Sequence, residues 1–98
     1  MIKIIKLITG ENLISEVDDL NDKVRLNKPM MLGMNQERQL SMMKWLELSK
    51  EDNVMISKDM IVMMYEPINE LTNGYQQQTG GIVTAPANVL NEKGKLVV

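Results

Sequence analysis

Three residues able to hold a nucleic acid stand on alternate positions in "LNDKVRLN", residues 20–27: Asn21, Lys23 and Arg25. An Asn amide can read a base edge, and a guanidinium can grip a phosphate or stack on a base. Lys23 adds positive charge beside them. A second pair, Ser57 and Lys58 in "MISKDM", sets a hydroxyl next to an ammonium, a combination suited to phosphate. Each has a plainer reading. Asn21 can serve its turn, and Arg25 can pair with Asp19 or Asp22 in solvent, as charge-dense turns usually do. Ser57-Lys58 can be a simple turn before the last strand. Trp45 can stack on a base from an exposed face, or it can sit in the core or at a subunit contact. Glu11, Glu16, Asp18, Asp19 and Asp22 are an acidic group whose spacing fits no calcium loop, so they read as a solvated face.

Other chemistry is missing. The chain has no His and no Cys, so it lacks the usual general base, a thiolate nucleophile and the commonest metal ligands. Gly80-Gly81 is too short for a phosphate loop, and no Gly-rich nucleotide motif occurs. A non-enzymatic protein without cofactor is expected. The net charge of −2 offers no broad basic surface for nonspecific nucleic-acid binding, though it leaves room for a local patch. The N-terminal apolar run is short and interrupted by Lys3 and Lys6, unlike a signal peptide. No run approaches the ~20 apolar residues of a membrane span. A cytoplasmic protein with no membrane partner is the expectation.

The elements that must position these residues follow from pattern. Residues 2–8, IKIIKLI, read as a strand whose alternation slips between Ile4 and Ile5, putting apolar side chains on both faces. Thr9-Gly10-Glu11-Asn12 turns it into a second strand over 13–19. There Leu13, Ser15 and Val17 share one face, and Ile14, Glu16 and Asp18 the other. The polar turn 19–23 leads to a third strand, Val24 to Lys28. It continues extended through Met30 to Met34, with Pro29 requiring an edge or a bulge. After the turn 35–38, residues 39–48 read as a fourth, bending strand, with a helix as the competing reading. A loop over 49–53 precedes Val54–Ile56. Ser57-Lys58-Asp59 breaks that last β segment for one turn before Met60–Tyr65. Pro67 suits the first turn of a helix over 67–79, with Ile68, Leu71 and Tyr75 as its apolar stripe, although Gly74 weakens it. Residues 80–98 read as an extended or flexible tail, with Ile82-Val83 available to dock on a neighbour.

Ninety-eight residues make one domain. Aromatic content is 3%, and ten Met residues supply soft core and interface packing instead. Five short, bent antiparallel strands over 1–66 with no large helical layer predict a small, mainly β barrel. An OB-fold usually sets a helix between strands three and four, where only residues 35–38 stand. An SH3-like or Sm-like barrel is therefore favoured.

Two segments resemble the Sm-like (LSm) family. Its first pattern has a turn Gly, an apolar residue, a bend Gly, two apolar positions and a closing Leu. Gly10, Leu13, Val17, Leu20 and Leu26 match it, with Ser15 at the bend-Gly position. Asn21 and Arg25 stand where the family has its base-contacting Asp and Asn. Ser57-Lys58 stand in place of its Arg-Gly pair, within Ile56 to Val62. The family's N-terminal helix has no counterpart. The resemblance covers residues 2–65, and the whole chain, including "NGYQQQTGGIVT", is similar to small uncharacterised proteins of marine cyanobacterial phages.

The resemblance implies cyclic homo-oligomers of about five to seven subunits, in which the fourth strand of one subunit pairs with the fifth of the next. It also implies a pore lined by the loops after the second and fourth strands. Asn21, Lys23, Arg25, Ser57 and Lys58 would then face single-stranded RNA. A structural or adaptor protein that assembles with itself and binds a protein partner, without nucleic acid, is the alternative.

Overall fold

A computed structural model describes residues 1–80 and the strand Lys95–Leu96. The strands are β1 (Ile2–Leu7), β2 (Asn12–Leu20), β3 (Lys23–Met34), β4 (Leu40–Lys44), β5 (Asn53–Ser57) and β6 (Ile61–Tyr65). A 3-10 turn, Lys58–Met60, links β5 to β6, and the helix α1 spans Asn69–Gln78. The two-residue β7, Lys95–Leu96, pairs with β4 at Leu40 and Ser41. Other tail residues, including Ile82-Val83, lie outside the described residues.

All pairings are antiparallel, in the order β6-β1-β2-β3-β4-β7, with β5 also on β3. Among the described residues the fold is therefore mainly β with one helix after the six main strands, and the sheet is not closed into the small bent barrel expected. β5 is held on β3 and β6 on β1, with β2 between those partners, and no ladder joins the two. The last β segment is two strands, because the Lys58–Met60 turn redirects the chain from one side of the sheet to the other.

The early hairpin forms as its sequence predicts. Gly10 sits at φ 102, a conformation that penalises any side chain. Its N–H bonds to the Leu7 carbonyl at 2.9 Å. The slipped alternation of β1 and β2 then feeds two cores. Ile5, Leu7, Leu13, Val17, Val24 and Leu26 form one cluster, against which Trp45 packs. Ile14, Met42 and Tyr75 form the other, beneath α1, with Leu71 at its margin. Each fully buried Ile or Leu contributes roughly 1.5–3 kcal/mol of transfer free energy.

Pro29 falls at a bulge. Ile14 pairs with Met30 and Glu16 with Asn27, so Lys28 and Pro29 together oppose the single residue Ser15. Lys28 takes φ 52, and its N–H donates to the Asp52 carbonyl. On its outer side β3 changes partner here, from β5 at Asn27 to β4 at Met30. Pro29 has no N–H to continue a ladder. This is why the expected strand 39–48 stops at Lys44. Trp45 gives its N–H to the Pro29 carbonyl at 3.2 Å, and the chain leaves as a loop over 45–52.

The helix starts later than the expected residue 67. Ile68 remains extended (φ −65, ψ 158) as the capping residue, and its carbonyl accepts the Thr72 N–H at 3.1 Å. Ile68 is exposed, so the packed stripe is Leu71 and Tyr75. The Tyr75 hydroxyl docks on the bulge. It accepts the Glu16 N–H at 3.1 Å and faces the carbonyls of Asn27 and Lys28 at 2.8 and 2.9 Å. Burial pushes its pKa above the ordinary 10.0, against the lowering effect of the Glu16 amide.

Tyr75→Phe strands those buried backbone groups and should cost about 1–3 kcal/mol in urea unfolding. Because the folded pKa is raised, the Tyr75 contribution is complete below pH 10 and is lost as pH climbs through the folded value. The variant should therefore show a flatter alkaline stability limb than the parent protein.

Candidate nucleic-acid interface

The five candidate residues converge at one end of the sheet. β2 and β3 are joined by a two-residue turn, Asn21-Asp22, with Leu20 paired to Lys23. Asn21 takes φ 70, a left-handed conformation Asn tolerates, and its N–H donates to Asp19 Oδ1 at 3.1 Å. Lys23 pairs in turn with Ser57 across the β3–β5 ladder, and Arg25 with Met55. Ser57 caps the 3-10 turn, its Oγ accepting the Asp59 N–H at 3.2 Å. The Lys58 N–H donates to the Asp22 carbonyl at 3.1 Å, tying the two turns directly. The sequence gives no reason within one chain for residues 21–25 to meet 57–58; the β3–β5 pairing supplies it.

Carboxylates share this end. Lys58 Nζ lies 2.8 Å from Asp19 Oδ1, and Arg25 Nη1 lies 4.0 Å from Asp18 Oδ2. Asp18 also accepts from Asn27 Nδ2 at 3.0 Å. The Arg25 partner is thus Asp18, not the expected Asp19 or Asp22, because the two-residue turn sets Asp18 directly opposite Arg25. Lys23 forms no ion pair among the described residues. Lys23, Arg25 and Lys58 stand against Asp18, Asp19, Asp22 and Asp59, a local net charge of −1.

The Lys58 ammonium, by hydrogen bond and then by charge, holds the Asp19 carboxyl below its ordinary value of 3.8. A depressed carboxylate pKa stabilises the fold above the ordinary value, and that contribution disappears as pH falls through the folded one. The Asp19 side chain is largely exposed, so solvent screens the pair.

Trp45 packs its side chain on the first core cluster, which leaves the turns as the sole gathering of the expected nucleic-acid groups among the described residues. The acidic residues make no metal site: no group of three or more His, Cys, Asp or Glu is placed to hold an ion among the described residues. No helix among the described residues is long and apolar enough to cross a membrane.

A family model described as a family of unknown function (DUF6561) matches residues 1–80, all six main strands and the helix. No curated protein matches the chain.

Lys58→Gln should return the Asp19 carboxyl to the ordinary range near 3.8, read as an upward-shifted midpoint in a carbon-detected NMR titration. An unchanged midpoint would show that the pair does not form in solution.

Proposed function

We propose for this chain, which belongs to the family of unknown function DUF6561, the role of an Sm-like module. It assembles as a cyclic homo-oligomer of about five to seven subunits and holds single-stranded RNA at the turns 21–25 and 57–58. Its setting is the cytoplasm of a bacterial or phage-infected host cell. The fold is then an open Sm-like barrel in which β4 and β5 are one interrupted partner strand of β3.

The observation that carries this reading is the junction of the two turns, tied by the Lys58 amide and the Asp22 carbonyl. It gathers Asn21, Lys23, Arg25, Ser57 and Lys58 on one patch. Repetition around a ring multiplies a weak patch by the subunit number. The free edges support assembly. β6 reads IVMMY and, among the described residues, has β1 as its one ladder partner; β5 likewise has β3. Val62 is 55% exposed, Met63 50%, Tyr65 48% and, on β5, Met55 53%. An apolar strand open along one edge invites pairing with another chain. β5 of one subunit on β6 of the next would cover both.

The carboxylates favour a second reading. Asp18 and Asp19 occupy Arg25 and Lys58, and a phosphate would have to displace them. On this reading the same assembly is a structural or adaptor protein, and its exposed Met residues adapt to a protein partner.

Fluorescence polarisation with U-rich and A-rich oligomers separates the two. The first reading expects binding that weakens with salt, is lost in Arg25→Glu and Lys58→Glu, and leaves the ring intact. No binding of either oligomer leaves the adaptor reading. For assembly, light scattering should give a multiple of 11.2 kDa. Val62→Lys and Met63→Lys, exposed changes that cost under about 0.5 kcal/mol in the subunit, should reduce it to the monomer. A parent protein that is monomeric at micromolar concentration rules the ring out.

A further inference from the structure

We propose that the cavity between the end of α1, the β3–β4 hairpin and the 45–52 loop is a binding site for a nucleoside monophosphate, separate from the turn cluster. The cavity has a volume of about 550 Å³, within the range of small-ligand sites. Met30, Met42 and Leu46 give it apolar walls, with polarisable thioethers suited to the face of a flat ring.

Two ammonium groups line the same space. Lys44 Nζ stands 3.6 Å from Asp52 Oδ1, its carboxylate partner. Lys28 Nζ reaches the Thr79 carbonyl at 3.3 Å. That acceptor is neutral, so the Lys28 charge has no carboxylate against it among the described residues. The lining therefore carries an excess positive charge in a chain of net −2. Two cations and one anion suit a phosphate monoester, which bears about −1.5 to −2 charges at pH 7. Lys binds phosphate as a point charge and needs no fixed fork geometry. Gln78 lines the cavity too, and its amide offers a donor and an acceptor to a base edge.

Lys28 itself is held in an unusual way. Its φ of 52 is one that glycine adopts freely and lysine does not. The bulge over-determines it, through the Asp52 carbonyl on its N–H and Pro29 behind it. Strained residues fixed by their surroundings gather at ligand sites. Here the strained residue is also the lining cation that has no carboxylate against it among the described residues.

Calorimetry on the full chain tests the site with adenosine 5′-monophosphate, adenosine and inorganic phosphate. The monophosphate should bind saturably, and adenosine and phosphate each at least about tenfold more weakly. Lys28→Gly and Lys44→Gln should each weaken binding about tenfold. Lys28→Gly relieves the backbone, so its Tm should hold or rise and a folding defect cannot mimic the loss. Asp52→Asn frees Lys44 and should tighten binding. Lys23→Gln at the turn cluster should leave it unchanged, so loss of RNA binding at the turns and loss of this site are read separately. No saturation at millimolar monophosphate overturns the proposal. So does adenosine binding as well as its phosphate, or affinity indifferent to both Lys28→Gly and Lys44→Gln.

Discussion

The fold depends on how one irregularity in its sheet is satisfied. At Ser15 the β2–β3 ladder takes two residues on one strand against one on the other, and backbone groups of Glu16, Asn27 and Lys28 fall out of register. Buried groups left without partners would cost free energy comparable to the gain from a core side chain. Ser15, fully buried, sets its hydroxyl 2.9 Å from both the Asn27 and Glu16 carbonyls, with its single proton to donate to one of them or share between them. The Tyr75 hydroxyl supplies the rest from the helix. No buried side-chain N or O among the described residues is left without a hydrogen bond. The helix is thereby positioned by a polar contact at the bend as well as by Leu71 and Ile14 beneath it. That contact also fixes the hairpin whose turn presents Asn21 and whose far half carries β4.

Much of this was legible in the sequence because the hairpins are local. The slip at Ile4-Ile5 and the opposed faces of Leu13 and Ile14 foretold side chains on both sides of the sheet, and both cores use them. The break at Ser57-Lys58-Asp59 was readable as the turn that became the 3-10 segment. Pro29 signalled its bulge. What was not legible came from pairing between distant segments. Nothing local ends β4 at Lys44; the missing N–H of Pro29, sixteen residues nearer the N-terminus than Trp45, does. The role of Tyr75 was equally hidden, since an i, i+4 stripe with Leu71 reads as apolar packing and its hydroxyl target lies on β2. At the candidate interface the residue types were readable and their company was not. A polar turn over 19–23 leaves the register open. The tighter turn Asn21-Asp22 fixes it and brings Asp18 to Arg25.

The turn cluster and the cavity beside the helix end carry different electrostatic arrangements. At the turn cluster each of Arg25 and Lys58 has a carboxylate, and the pairs are exposed, so they are weak and exchangeable. At the helix end, Lys28 is met by a carbonyl alone. A chain with a small negative net charge thus sets a cation that has no carboxylate against it, among the described residues, beside a cavity partly walled by Met30, Met42 and Leu46. The edges of β5 and β6 are the third chemically distinct region. They are apolar and, among the described residues, unpaired on one side, and the 3-10 turn that carries Lys58 joins the two strands.

The loop over 45–52 has both ends pinned to the same place. Trp45 hangs from the Pro29 carbonyl and Asp52 receives the Lys28 N–H, so adjacent residues of β3 clamp the two ends. Between them Leu48 is fully exposed. Closure entropy grows only slowly with length, each doubling adding about 0.6 kcal/mol once the ends are held. The segment around Leu48 is therefore a natural graft point. A peptide epitope or a small folded module inserted there would be carried on a base held at both ends by β3.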